Sequence, residues 1–218
     1  MSVWVWLGIT VAAIVVIYFA IYAGAPKDDA ILVLEGSQRA EKTYSSPALI
    51  RRSFNEKEGA VFTWAGWLLV KDFAAGYGNR RRIFSKGDCP GLYIDSTSNS
   101  LIVVINTYGV TPETILVPNI PAMKWINFAI VVDQTSVNIY INGTLRIYHT
   151  LSQLPKQNSD AATFGGQWEG VIGNVRYYSR ALSNAEVFMK SSETPPDDFQ
   201  KKPESGRYFD LSWYTGRL

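Results

Sequence analysis

Hydrophobic and polar positions alternate over short stretches through most of the chain, and this pattern predicts a β-rich domain. The stretches are rich in β-branched and aromatic residues, and segments rich in Gly, Pro, Asn and Asp separate them. We expect strands at residues 31–34, 60–70, 82–85, 91–95, 101–106, 114–117, 125–133, 137–141, 144–148 and 171–178. Because no amphipathic helix is predicted between these strands, the pattern indicates an all-β antiparallel β-sandwich and not a parallel α/β sheet.

Two local motifs fix the ends of elements within this domain. Asn142-Gly143 tolerates positive φ at both positions, so it predicts a tight hairpin between two of the strands. Ser183 followed by Glu186 forms a capping-box pattern, which predicts one short C-terminal helix through about residue 190. We expect Val187 and Phe188 to be the packing residues of that helix.

The long apolar strand at residues 60–70 is the predicted centre of the core. Its even positions, such as Trp64, point to one side of the sheet, and its odd positions, such as Trp67, point to the other. We therefore expect packing to depend on Trp64 or Trp67, together with Trp125, which opens a later strand.

Residues 1–26 carry no charged side chain and predict a transmembrane anchor. The apolar run at residues 4–22, if helical, would extend roughly 29 Å at 1.5 Å per residue, close to the hydrocarbon thickness of a bilayer. Rings that are typical of the membrane interface stand at both ends of this run: Trp4, Trp6, Tyr18 and Tyr22. A cleaved signal peptide would require a positive segment before the apolar run, and the sequence has none there.

The charge pattern beyond the anchor predicts the side of the membrane on which the domain lies. Lys27, Arg39 and Lys42 follow the apolar run, which favours the cytoplasmic side. The single cysteine, Cys89, excludes an intrachain disulfide, and this agrees with a reducing compartment.

The sequence thus divides into an anchor at 1–26, a domain at 27–193 and a tail at 194–218. Thr194-Pro195-Pro196 ends the predicted helix, and large apolar side chains follow: Phe199, Tyr208, Phe209, Leu211, Trp213 and Tyr214. Two alternatives remain open for this aromatic tail. It packs back on its own sandwich, or it docks on a neighbouring subunit through Phe199, Tyr208, Phe209, Trp213 and Tyr214.

Charge argues against a nucleic-acid partner, because the formal net charge is only +2. The basic runs Arg51-Arg52, Arg80–Arg82 and Lys201-Lys202 are scattered and are not interleaved with stacking aromatic residues. We interpret them as solvated loops.

Three segments of the domain resemble laminin-G-like, concanavalin A-like jelly rolls. They are FSKGDCPGLYID at 84–95, KWINFAIVVDQTSVNIYINGTL at 124–145 and GVIGNVRYYSRALSNAEV at 170–187. The resemblance extends over about residues 30–190 and implies the sandwich fold. It leaves activity open, because this fold serves lectins, hydrolases and structural modules. A jelly roll directly after an N-terminal anchor also resembles membrane-tethered minor capsid proteins of large double-stranded DNA viruses.

The sequence favours a protein that is not an enzyme. Hydrolases of this fold need two carboxylates at strand spacing, whereas Asp95, Glu113, Asp133 and Glu169 are isolated along the chain. A serine triad is not indicated either, because His149 is the only histidine and no Gly-x-Ser-x-Gly motif occurs.

No cofactor or metal is predicted. Calcium requires six to eight oxygen ligands. Asp88, Asp95 and Asn99 would supply only a few of them, and such residues are also typical of turns.

Two functional hypotheses follow from the resemblance and the layout of the chain. The first is a structural protein that links the lipid bilayer of a virion inner membrane to capsid subunits through its jelly roll and tail. The second is a membrane-tethered lectin, with candidate glycan contacts at Gln167, Trp168 and Asn174 and further candidates at Tyr77 and Asn79. Trp168 equally fits a residue that caps the core, because glycines flank it.

Overall fold

The computed structural model describes residues 11–17, 29–53, 55–56 and 59–196. Residues 11–17 are helical (α1), and no helix within the described ranges is both long and apolar enough to cross a membrane. Several predicted sites lie outside these ranges: Trp4, Trp6, Tyr18 and Tyr22 of the anchor, and Phe199, Tyr208, Phe209, Trp213 and Tyr214 of the tail.

The part of the chain that the structure describes after residue 29 is built of strands and one short helix. The strands are β1 (Ile31–Arg39), β2 (Tyr44–Ser45), β3 (Asn55–Glu56), β4 (Gly59–Asp72), β5 (Arg81–Ser85), β6 (Gly91–Ile94), β7 (Leu101–Ile105), β8 (Glu113–Val117), β9 (Trp125–Asp133), β10 (Ser136–Ile141), β11 (Thr144–Thr150), β12 (Thr163–Phe164) and β13 (Glu169–Tyr178). The helix is α2 (Asn184–Ser191).

These strands form two antiparallel sheets that pack face to face. The larger sheet has the order β1-β13-β4-β9-β10-β11, and β3 pairs with β4 beside it. The smaller sheet has the order β2-β12-β5-β6-β7-β8. The predicted all-β antiparallel sandwich with a short C-terminal helix is therefore confirmed.

The core between the sheets is built from the even positions of β4 and their partners. Trp64 of β4 stacks on Phe84 of β5 with ring centroids 5.1 Å apart, and Phe84 stacks in turn on Phe128 of β9 at 5.8 Å. Side chains alternate between the two faces of a strand, so these even positions share the inner face, and Trp67 points outward. Of the two tryptophans proposed for β4, Trp64 is the one at the centre.

The outer face of the larger sheet carries a second, smaller apolar cluster, which we call the α2 cluster. Val187 of α2 and Leu182 before it cover Ala65, Ala129 and neighbouring residues of the sheet. Phe188, which was also expected to pack, is exposed because it lies on the solvent side of the helix. Trp125 needs a similar correction: it precedes the inward-facing Ile126, so it lies on the outer face and is only partly buried.

Both local motifs form as predicted. Asn142 and Gly143 have φ values of 50° and 74°, and they connect β10 to β11. Ser183 caps α2, with its side chain accepting from the Glu186 amide while the Glu186 carboxylate accepts from the Ser183 amide. The two-residue strands β2, β3 and β12 were not predicted, because two residues carry no periodic signal.

Candidate functional site

A cleft of about 220 Å³ lies at one end of the sandwich, between the loop that joins β4 to β5 and the loop that joins β6 to β7. The first loop contributes aromatic rings and the second contributes hydroxyl and amide groups. Its lining residues are Phe73, Ala74, Tyr77, Thr97, Ser98 and Asn99. We call this feature the Tyr77 cleft.

Tyr77 is the most prominent side chain of the cleft, with 63% of its surface exposed. The loop that presents it is held by its own backbone: the Tyr77 amide donates to the Ala74 carbonyl (3.0 Å), and the Asn79 amide donates to the Gly76 carbonyl (3.2 Å). The Ala74 amide donates to the Asp72 carboxylate (2.8 Å). The exposed Tyr77 ring is thus carried by a loop whose backbone amides are hydrogen-bonded.

The opposite loop is shaped by the carboxylate of Asp95. This carboxylate accepts from the Ser98 hydroxyl (2.7 Å), the Ser98 amide (3.0 Å) and the Thr97 amide (3.3 Å). The hydrogen bond from the Ser98 side chain is the main cause that lowers the pKa of Asp95. All of these donors converge on Oδ2 of Asp95, so this oxygen fixes the shape of the loop.

Arg81 joins the two sides of the cleft from below. It is only 1% exposed, and its guanidinium donates to the carbonyls of Phe73 (2.6 Å), Ala75 (2.6 Å) and Asp95 (2.5 Å). Burial lowers the pKa of Arg81 because desolvation disfavours its charged form. The Gly78 amide also donates to the Ser96 carbonyl (2.8 Å), so the loops are connected directly as well.

Gly76 allows a third segment to approach the cleft. Its φ is +72°, and a Cβ at this position would lie 2.6 Å from the carbonyl oxygen of Gln167. Gln167 is exposed and also adopts a positive φ. The structure therefore places the predicted contact Gln167 beside the loop that carries Tyr77, and Asn79 lies in that same loop.

The other two predicted glycan contacts lie elsewhere. Trp168 is only 1% exposed, and its indole N–H donates to the Arg82 carbonyl (2.8 Å), so it caps the core and has no free face for a sugar. Asn174 accepts a hydrogen bond from the Gly36 amide (3.0 Å), where β13 pairs with β1. Neither residue lines the Tyr77 cleft.

Two basic residues also differ from expectation. The sequence predicts a solvated loop at Arg80–Arg82, but Arg81 is buried, and Arg82 donates to the Gly165 carbonyl (3.3 Å). Arg80 alone of the three is exposed, and it lies over the ring of Tyr93.

A serine, a histidine and a glutamate meet at the far side of the domain, where β8 approaches β11. His149 Nε2 lies 2.9 Å from Glu113 Oε2, and the Ser152 hydroxyl donates to Glu113 Oε1 (2.7 Å). In a catalytic triad the histidine stands between serine and carboxylate, whereas here the carboxylate is central. The arrangement ties two strands together and does not activate the serine.

The described residues offer no evident metal site or reactive thiol. Among them, no group of three or more His, Cys, Asp or Glu side chains is placed to hold a metal ion. Asp88 accepts hydrogen bonds from Ser85 and Tyr93 within its own part of the smaller sheet. Cys89 is buried, and desolvation raises its pKa to about 12, so the thiol stays protonated at neutral pH.

Solved structures similar to this one include binding domains of a mosquitocidal protein and of botulinum neurotoxins. The binding domain of Paraclostridial Mosquitocidal Protein 1 is 18% identical, with a TM-score of 0.56, over 74% of this chain and 46% of that one. A structure of botulinum neurotoxin type C, which interacts with two ganglioside molecules, is 13% identical, with a TM-score of 0.58, over 75% and 51%. The receptor-binding domain of botulinum neurotoxin type G is 18% identical, with a TM-score of 0.55, over 75% and 51%.

These similarities establish the fold, and the chain spans about half the length of the structures it matches. A search of curated protein sequences finds no match to the chain. The sequence profile that matches it, a laminin-G type, covers residues 41–188, from just before β2 into α2. A match over this much of the sequence assigns the family: the chain belongs to the concanavalin A-like lectin/glucanases superfamily.

Proposed function

We propose that this protein is a glycan-binding module and that the Tyr77 cleft is its sugar site. The observation that carries the proposal is the exposed Tyr77 ring, which stands beside the hydroxyl and amide groups of Thr97, Ser98 and Asn99. A sugar has an apolar C–H face that packs on an aromatic ring, and its hydroxyls pair with small polar side chains. Both kinds of contact are available within one cleft.

The rigidity of the cleft supports the same proposal. Arg81 fixes both loops through three backbone carbonyls, so little conformational entropy is lost when a ligand binds. This matters for sugars, since each sugar hydroxyl exchanges a hydrogen bond with water for one with protein and gains little net free energy. A site that is formed in advance keeps more of that small gain.

The toxin structures support glycans as the class of ligand. They share the fold of this chain at 13–18% identity, and one of them, neurotoxin type C, interacts with gangliosides, which carry sugar headgroups. Superfamily membership points the same way, since the superfamily includes lectins. We take these similarities as support for the ligand class and not for any particular sugar.

We further propose that the module is not an enzyme. Glu113 accepts from both Ser152 and His149 and is not paired with a second carboxylate in these contacts. The thiol of Cys89 is buried and protonated. Prolonged incubation of the protein with common polysaccharides should therefore leave them uncut, as measured by reducing-end release.

The alternative of a structural protein in a viral shell rests on the order of anchor, sandwich and tail. Neither the fold nor the similar structures named above add support to it, since those named are toxin binding domains. We therefore place glycan binding ahead of a role in a capsid.

We also propose that residues 1–26 tether the module to a membrane, because they carry no charge over a bilayer-spanning length. The full chain should then remain in the membrane fraction after alkaline carbonate extraction, and release by carbonate would exclude the tether. Glycan binding requires the domain to face a glycan-bearing compartment, opposite to the side predicted from Lys27, Arg39 and Lys42. Protease protection of the domain in sealed vesicles decides between the two sides.

A glycan array probed with the purified full-length protein tests the main proposal. After a hit is found, Tyr77→Ala should weaken binding of that glycan about tenfold, the equivalent of roughly 1.4 kcal/mol. Tyr108→Ala and Tyr148→Ala are matched controls, because both rings are exposed and neither lines the cleft. An array without hits, or equal losses in all three variants, would contradict the proposed site.

A further inference from the structure

The outer face of the larger sheet has two apolar halves, and only one belongs to the α2 cluster. The second half consists of Trp67 and Leu69 on β4 and Val171 on β13, which we call the outer patch. Leu69 pairs directly with Val171, and Trp67 pairs with Gly173, so these residues are neighbours on one face.

The outer patch is buried, although the apolar clusters formed by the described residues do not include it. Trp67, Leu69 and Val171 are 6%, 7% and 0% exposed. The core cluster between the sheets contains the inward-facing residues, and the α2 cluster contains residues farther along the same outer face. Large side chains on the outer face of a sheet need a covering segment to be buried to this degree.

The path of the chain after α2 leads toward the outer patch. Glu193 forms an ion pair with Arg176 of β13 (2.7 Å), and three residues later Pro196 is buried against the same strand. A Cβ on Gly173 would lie only 2.8 Å from Cγ of Pro196. The chain therefore runs from Arg176 to Gly173, and the next side-chain position along this face of β13 is Val171.

We propose that residues 197–218 fold back on their own domain and cover the outer patch, with Phe199 as the first ring to reach it. Phe199 follows Pro196 by three residues and is therefore within about 10 Å of it in extended chain. Gly173 and Val171 are separated by about 7 Å along the strand. The other large apolar residues of the tail follow: Tyr208, Phe209, Leu211, Trp213 and Tyr214.

The N-terminal segment is less well placed to cover this patch. Asp29 forms an ion pair with Arg180 (3.0 Å), and Ala30 packs against the α2 cluster. Asp29 thus lies beyond the Tyr178 end of β13, several residue pairs away from Val171. The tail begins next to the patch, whereas the N-terminal segment begins at the opposite end of the strand.

Thiol accessibility tests this proposal in the full-length protein. Leu69→Cys introduces a thiol into the outer patch, and the native Cys89 is buried and should react slowly. We expect the new thiol to react with a maleimide at least tenfold more slowly in the full chain than after deletion of residues 197–218. Leu116→Cys is the control, because Leu116 is exposed on β8 and should react equally fast with and without the tail.

Two further measurements keep the test decisive if the deletion variant does not fold. Phe199→Asp in the otherwise full chain should raise the reaction rate of Leu69→Cys without altering that of Leu116→Cys. A synthetic peptide of residues 197–218 should restore protection to a folded deletion variant. Equal reaction rates for Leu69→Cys with intact Phe199 and with Phe199→Asp would overturn the proposal. Protection that grows with protein concentration would overturn it as well, because a concentration dependence would show that a second copy of the protein covers the outer patch.

Discussion

The guanidinium of Arg81 donates a hydrogen bond to the backbone carbonyl of Asp95, and this contact closes the Tyr77 cleft from below. The same guanidinium holds the carbonyls of Phe73 and Ala75 on the other side. One buried cation thus sets the spacing of two loops that are distant in sequence.

Replacing Arg81 by lysine should destabilise the domain although the charge is kept. A single ammonium group does not reproduce the planar fork that reaches three partly buried carbonyls, and a carbonyl left unpaired away from water costs about 1–3 kcal/mol. We expect a loss of about 3 kcal/mol, equivalent to a fall in Tm of roughly 6–12 °C for a domain of this size. Thermal unfolding followed by circular dichroism measures it, with Arg146→Lys on the exposed side of β11 as control. A Tm within two degrees of wild type would contradict the role of Arg81.

Removal of divalent cations should leave glycan binding unchanged. Calcium takes six to eight oxygen ligands, and no group of three or more His, Cys, Asp or Glu side chains among the described residues is placed to hold a metal ion. We expect the Kd of an identified glycan to change less than twofold between EDTA and millimolar calcium in isothermal titration calorimetry. A Kd that rises tenfold in EDTA would place a metal ion in the site.

Truncation of Trp64 should be far more costly than truncation of Trp125. Trp64 is buried between the sheets and stacks on Phe84, whereas Trp125 lies on the outer face and is partly exposed. We expect Trp64→Ala to cost about 3–5 kcal/mol and Trp125→Ala about 1 kcal/mol in the free energy of unfolding. Denaturant titration of both variants measures the difference. Similar losses of unfolding free energy would contradict the assignment of Trp64 to the inner face and Trp125 to the outer face.

The stability of the α2 cap should fall at acidic pH because of Glu186. The hydrogen bond from Arg180 is the main cause that lowers the pKa of Glu186 from 4.5 to about 2. A carboxylate with a lowered pKa in the folded state stabilises that state above about pH 4.5, and the contribution is lost as the pH falls toward 2.

Glu186→Gln tests this pH dependence while keeping an acceptor for the Ser183 cap. The pair is partly exposed, so solvent screening reduces its contribution to about 1 kcal/mol. We expect wild type to exceed the variant by this amount at pH 7 and to match it near pH 2 in urea unfolding. A difference that stays constant from pH 7 to pH 2 would rule out the ion pair as its source.

Strand positions could be predicted from the sequence because alternation is a local signal. The strand at Trp125–Asp133 was predicted with its observed ends, and the Asn142-Gly143 turn and the Ser183 cap formed as expected. Each of these depends only on residues close together in the chain. Trp125 was misassigned to the core because alternation gives two faces but does not say which one faces the second sheet.

The functional site was harder to predict because its parts come from separate loops. Arg81 lies in a run of three arginines that is typical of a solvated loop, and only closure of the sandwich places carbonyls from two loops around it. Trp168 is the opposite case, a predicted glycan contact that is buried in the structure. Its flanking glycines are compatible with an exposed ring as well as with a buried one. Gln167 and Tyr77 are both candidates from the sequence, but they are ninety residues apart, and only the folded chain brings Gln167 next to Gly76 in the loop that carries Tyr77.

The contact of Glu113 with His149 and Ser152 also bears on how the protein behaves at high concentration. It connects β8 and β11, which are edge strands of the two sheets. Edge strands present unpaired backbone groups that invite another molecule to add a strand, and this is a common start of aggregation. Because the side chains of Glu113 and His149 hold the two edges against each other, a foreign strand would have to displace them before it could pair, so this corner of the sandwich resists growth into larger sheets.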